Sequence, residues 1–230
     1  MGDWYMSRQL TTGVLGQHKI HPLFQYLIEG YKMDGNSNGL KSIINGDPVN
    51  VTYATGKVGD AAVFNGTAHI NLGQKNAIDL HPTDDETGWT ISLWENTSTS
   101  GGGYFLSKAP STTVSTHQFS IYRNTDLRYV VGGNFTTTGF QNRGVWNHIV
   151  LRKNPNPSTT VEFIVNKVSI RTTTAGTVLQ PDTDVLLGAR RASAPNSGIG
   201  FQFNGLLDEV YFFNKALTNE EIDYLYDNPL

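Results

Sequence analysis

From about residue 26 onward, short apolar segments of five to eight residues alternate with clusters of glycine, asparagine, threonine and proline. Several segments have period 2. In His117–Arg123, Phe119 and Ile121 fall on one side and Gln118, Ser120 and Tyr122 on the other. In Trp146–Lys153, Ile149 and Leu151 oppose His148 and Arg152, and in Thr160–Val168, Val161, Phe163 and Val165 oppose Glu162 and Asn166. Successive side chains of a strand point to opposite faces, so each segment predicts a strand with one buried and one wetter face. Turn signals separate them at Gly35-Asn36, Gly101-Gly102-Gly103, Gly132-Gly133-Asn134, Asn154-Pro155-Asn156-Pro157 and Ala194-Pro195-Asn196-Ser197-Gly198. Many short strands joined by such turns predict a sandwich or barrel, and the lack of a fixed-period repeat argues against a propeller.

One helix is expected, at the C-terminus. Thr218-Asn219-Glu220-Glu221 has the form of a capping box, and Ile222, Leu225 and Tyr226 follow as an i, i+3, i+4 apolar stripe. The first 25 residues carry Trp4, Tyr5, Met6, Val14, Leu15, Ile20, Leu23 and Phe24 without a clean period. They read as an extension, either packed on the body or serving as an arm that docks on a partner through its aromatics, with Trp4, Tyr5 and Met6 as the docking residues.

Composition sharpens this picture. The chain has 230 residues, 24 glycines and no cysteine, and 16% of its residues are charged. Without cysteine there is no disulfide framework, thiol nucleophile or thiolate metal site. A net charge of −3 provides no basic footprint for nucleic acid. No apolar run approaches the ~20 residues of a membrane-spanning helix, and the N-terminus lacks the layout of a signal peptide. Four Asn-x-Ser/Thr sequons, at Asn50, Asn65, Asn96 and Asn134, are about what this composition produces by chance.

The segment Phe203–Tyr226, FNGLLDEVYFFNKALTNEEIDYLY, resembles the closing strand and short helix of the laminin-G-like jelly rolls of the concanavalin A-like lectin/glucanase superfamily. Gly205, Asp208, Asn214, Ala216, Leu217, Thr218 and Glu221 carry the match. Other segments agree in order: Tyr31–Asn36 with the opening strand and its Asp-Gly-Asn turn, Ala62–Gly66, Trp89–Trp94, Val145–Ile149 and Leu187-Gly188. The resemblance covers about residues 26–228. It implies an all-β, two-sheet antiparallel jelly-roll sandwich (concanavalin A-like), residues 26–230, preceded by an N-terminal arm, 1–25, and ending in a short helix. Two departures stand out. Asn166-Lys167 replaces the family's Asn-Gly in one hairpin, so that turn is expected to differ. Gly39-Leu40-Lys41 replaces an acidic residue after the opening turn, which weakens a metal site there.

An acidic side chain between Leu207 and Val210 is costly unless paired or metal-bound, which makes Asp208 the first candidate for a cation. The resemblance implies one structural calcium (Ca2+), with the Asp208 carboxylate, Asp34 and a carbonyl near Gly66 meeting at one rim. Catalytic carboxylates are expected to be lacking. The glucanase branch's Glu-x-Asp-x-(x)-Glu strand motif does not occur, Asp84-Asp85-Glu86 reads as a solvated turn, and no Gly-x-Ser-x-Gly is present. His18-x-x-His21 lies in the arm without further ligands, and His148 reads as structural. For a glycan, Trp94 opposes Ile91 and Leu93, Tyr122 opposes Phe119 and Ile121, and Arg128 opposes Leu127 and Tyr129; together they would form an aromatic-polar face.

The expectation is a non-catalytic, surface-displayed module. The first version is a virion component, a capsid-decoration or fibre protein of a bacteriophage at the virion surface, held to a capsid or other virion protein by its arm. The alternative is a lectin-like carbohydrate-binding adhesion module, extracellular or on a cell surface. A glucanase-type hydrolase is the weakest reading. No nucleic-acid or membrane partner is expected, and a homo-oligomer is compatible with display.

Overall fold

The computed structural model describes residues 20–74, 78, 80–82, 86–98, 100–180, 182–193 and 197–230. In chain order its strands are β1 (Leu27–Tyr31), β2 (Asp47–Val49), β3 (Thr52–Thr55), β4 (Asp60–Asn65), β5 (His69–Gly73), β6 (Trp89–Thr97), β7 (Gly103–Lys108), β8 (Phe119–Arg123), β9 (Leu127–Val131), β10 (Asn134–Thr137), β11 (Asn147–Lys153), β12 (Thr160–Val165), β13 (Val168–Thr174), β14 (Val185–Leu187), β15 (Arg190–Ser193), β16 (Ser197–Gly200) and β17 (Asn204–Phe213). A single α-helix among the described residues, α1 (Asn219–Asp227), follows. One sheet runs β13-β12-β11-β6-β17-β4-β3, with β1 also paired to β17; the other runs β10-β9-β8-β7-β14-β5-β2. All pairings are antiparallel. This is the two-sheet jelly roll that the resemblance implies, and one of the two architectures that the alternation allows.

Alternation builds the core. Ile91, Leu93, Ile149, Leu151, Phe163 and Phe212 of the first sheet face Phe105, Phe119, Ile121, Tyr129 and Leu187 of the second. The rings of Tyr129 and Phe163 stack with centroids 4.9 Å apart and planes 5° apart. A one-residue slip would turn this whole layer outward, so the register is strongly specified.

The outer face of the first sheet is covered as well. In α1 the Thr218 hydroxyl accepts from the Glu221 N–H and the Glu221 carboxylate accepts from the Thr218 N–H, completing the expected capping box. Ile222 and Leu225 then pack, with Leu217, on Val150, Ile164, Tyr211 and Phe213. Leu23 and Leu27 join the same cluster, and a 3-10 turn spans Pro22–Tyr26. Burial of Leu23 in this cluster packs residues 22–25, the end of the expected arm, against the body. The Asn166-Lys167 hairpin also departs from expectation. Both residues adopt positive φ, 49° and 70°, as a two-residue turn of this hand requires. Lys167 is held there by Asp227 of the helix, 2.8 Å from its Nζ, and by the Tyr226 ring.

The two ends of β17 define two poles. At the Phe213 pole, Leu27 pairs with Phe213, the His21 ring bonds the Asn228 carbonyl at 2.8 Å, and the Leu230 N–H donates to the Tyr211 hydroxyl at 3.0 Å. The Asn204 pole lies ten residues of extended chain away, about 30 Å.

Candidate functional site

Loops from both sheets converge at the Asn204 pole around an open cleft of about 750 Å3. Its walls come from the β6–β7 connection (Ser100–Gly103), the β8–β9 turn (Asn124, Thr125), the β10–β11 connection (Gln141, Arg143) and the segment entering β17 (Phe201, Gln202, Asn204). The glycine triplet, read from sequence only as a turn, permits the close approach of these walls. A Cβ on Gly101 would fall 2.5 Å from the Asn204 carbonyl oxygen, and one on Gly103 2.5 Å from that of Gln202. Phe201 stands at the lip, 59% exposed, with φ +51°. A bulky residue in that region is a backbone outlier, and such outliers persist only where the surroundings over-determine them. Here the Tyr104 N–H donates to the Phe201 carbonyl at 3.1 Å, the buried Arg190 guanidinium lies 5.1 Å from the Phe201 ring, and Tyr104 meets that ring edge-on. The aromatic is thus fixed from below and left open above.

The expected aromatic-polar face does not form. Trp94 is 2% exposed because α1 covers its side of the first sheet; its ring sits 4.9 Å from Tyr226 and 5.0 Å from His148, under the Lys57 ammonium. Tyr122 and Arg128 do share a face, on the second sheet, but Tyr122 is stacked on Tyr104 at 4.4 Å and Arg128 is paired with Asp126 at 2.8 Å. Alternation predicts parity along a strand and says nothing of what lies over an outer face. His148 is sealed beside Trp94, with Nε2 2.8 Å from the Ser92 hydroxyl, and burial lowers its pKa to about 3. Trp4, Tyr5 and Met6, as well as His18, Asp84 and Asp85, lie outside the described residues.

The cation candidates divide. A bulge interrupts β17 at Asp208 and Glu209, where its neighbour on one side changes from β4 to β1. Glu209 has φ +49°, and both carboxylates are fully buried. Asp208 Oδ2 accepts from the Lys57 and Val58 N–H groups at 2.8 and 3.0 Å. Asp208 Oδ1 and both Glu209 oxygens have no hydrogen-bond partner. Burial raises Asp208 to about 6 and Glu209, with the further repulsion of Asp208 and Asp34, to about 8. Asp34 Oδ1 accepts from the Asp60 N–H at 2.9 Å, on the loop that also caps Asp208. Orphaned, buried carboxylate oxygens are the donors a hard cation takes. No three ligating side chains are gathered tightly among the described residues, so backbone carbonyls and water would have to complete a shell. Gly66 does not belong to this group. It follows the far end of β4, bonded to the Phe203 carbonyl, about 20 Å of strand from Asp60. The sequence reading also missed Glu209, because only the bulge leaves two adjacent carboxylates both buried.

Comparison with known proteins follows this geometry. No curated protein matches the chain. Among solved structures, domain 4 of AbnA, a GH43 extracellular arabinanase from Geobacillus stearothermophilus, in complex with arabinotriose, is similar at 20% identity and TM-score 0.60, covering 86% of this chain and 97% of that one. The binding domain of Paraclostridial Mosquitocidal Protein 1 is similar at 12% identity and TM-score 0.66, covering 88% of this chain and 52% of that one. The binding domain of botulinum neurotoxin DC in complex with rat synaptotagmin II is similar at 13% identity and TM-score 0.59, again covering 88% and 52%. The chain thus spans about half the length of these toxin domains, and at such identities the likeness is one of fold. A laminin-G-like family model matches residues 64–223, well over half of the chain, and places it in the concanavalin A-like lectin/glucanases superfamily, to which this protein belongs.

Proposed function

We propose that the protein is a non-catalytic glycan-binding module and that the cleft at the Asn204 pole is its binding site. The observation that carries this reading is Phe201, an exposed aromatic ring held in a strained conformation at the lip of a polar cleft. A sugar ring offers a C–H face to an aromatic and hydroxyls to amides, and the cleft presents Phe201 beside Asn124, Gln141, Gln202 and Asn204. Support comes from the arabinotriose held by a domain of similar fold. Among the described residues that line the cleft there is no carboxylate, which favours binding without hydrolysis. Titration calorimetry of the full chain against a panel of oligosaccharides tests the reading. Phe201→Ala is expected to weaken binding at least about tenfold while leaving the melting temperature unchanged, since loss of an aromatic stacking partner outweighs an exposed contact. A wild-type protein that binds nothing on the panel, or a variant that binds equally well, sinks the assignment.

Calcium belongs to this proposal in a structural role. The unpartnered oxygens of Asp208 and Glu209 would contribute to holding it, with backbone carbonyls and water completing the shell and without Gly66, and it would neutralise the buried carboxylates where β17 changes neighbours. Millimolar calcium is expected to raise the melting temperature by several degrees and a chelator to reverse the gain, with Glu209→Gln insensitive to both. Identical melts with calcium and with chelator would remove the ion.

A second reading, a virion component displayed at the particle surface, draws on an apolar groove of about 760 Å3 lined in part by Ile20. Phe24, Leu40, Tyr224, Pro229 and Leu230 line it. If the protein still co-sediments with particles after removal of residues 1–19, the arm is not the anchor.

A further inference from the structure

Two cations line the cleft: Arg123, fully buried and ion-paired, and Arg143, half-buried with its Nη donors turned to backbone carbonyls. Arg123 lies fully buried between the sheets. Its Nη2 meets Glu95 Oε1 at 2.7 Å, its Nε the Thr97 hydroxyl at 3.2 Å and its Nη1 the Phe140 carbonyl at 3.3 Å. Glu95 is itself saturated: Oε1 also accepts from the Asn147 amide at 3.0 Å, and Oε2 accepts from the Thr97 N–H and hydroxyl at 2.7 and 2.5 Å. Arg143 projects from the β10–β11 connection and donates to the carbonyls of Gly101, Asn124 and Thr125. It therefore ties three walls together, and three peptide carbonyls turn their negative ends toward its charge.

What remains to face a ligand is uncharged: the Ser100 and Thr125 hydroxyls, four side-chain amides and the Phe201 ring. An amide presents a donor and an acceptor side by side, the same pair that a sugar hydroxyl presents. A carboxylate brought into this cleft would meet peptide carbonyl oxygens and guanidinium Nη groups already engaged by them, so it would gain less there than a neutral hydroxyl gains from the amides.

We propose that the cleft selects uncharged saccharides and discriminates against acidic ones, with Arg123 and Arg143 acting as positioning residues for its walls. This rests on the glycan-binding reading above. The test is calorimetry of the full chain with arabinotriose and neutral gluco- and galacto-oligosaccharides on one side, and oligogalacturonate and sialyllactose on the other, at low salt and at about 0.3 M NaCl. Neutral ligands are expected to bind with affinity changed less than about twofold by salt, and acidic ones at least about tenfold more weakly. An acidic ligand that binds more tightly than any neutral one, and weakens with salt, overturns the selectivity while leaving the glycan-binding reading in place. Silence across both sets overturns that reading itself. Arg143→Lys keeps the charge but cannot span three carbonyls, so it is expected to lose as much affinity as Arg143→Gln. If the lysine variant binds and the glutamine variant does not, Arg143 reads charge and the proposal fails.

Discussion

Phe201 and Phe203 sit two apart and look alike in any alternating pattern, yet one is 59% exposed and the other fully buried. The difference arises from the backbone at residue 201, where a positive φ costs on the order of 1–2 kcal/mol and redirects the side chain. No local sequence signal marks such a position, which is why this residue is not legible in the sequence while the alternation points to the buried Trp94. Histidines were read more securely. His148, on the polar side of an alternating strand, is a sealed structural residue whose ring is held neutral by burial and by the nearby Lys167 and Lys57. A histidine in the unfolded chain titrates near 6.5, so between 6.5 and about 3 the unfolded state takes up the proton first. Stability is then complete above pH 6.5 and falls below it by about 1.4 kcal/mol per pH unit for this group. Urea unfolding at pH 7.5 and pH 5 is expected to register the loss, with a shallower slope in His148→Gln. His117, lowered to about 4 mainly by burial, steepens the same decline.

At the scale of elements, local signals matched the structure wherever neighbouring residues act on each other. The capping box is complete in itself, and Thr218→Ala is expected to cost about 1 kcal/mol by denaturant melts, since one helix-end donor loses its acceptor. Strands with clean period 2, such as β8, β11 and β12, were legible for the same reason. The bulge in β17 was not, because it depends on two different strands flanking one edge. Loops were read as turns, correctly as punctuation and without regard to where they meet. Ser100, Asn124, Arg143 and Phe201 are separated by as much as a hundred residues, and only sheet closure brings them to one rim.

For the whole molecule, the pattern of apolar positions was enough to announce a sandwich or barrel, and the ordered motifs, through the resemblance, chose the two-sheet jelly roll. What the layers would cover lay beyond it, since a sandwich has two outer faces and a single helix can shield only one. The separation of the two poles has a further consequence for presentation. Attachment through Leu230 holds the molecule at the Phe213 pole and points the cleft away from the support. Arrays built this way should act collectively. Copies immobilised at high density through the C-terminus are expected to hold a multivalent glycan surface some 10²–10⁴ times more tightly than one copy in solution, while a soluble trisaccharide sees no difference. Surface plasmon measurements at varied density would reveal it, and avidity would then compensate for a shallow, water-washed site.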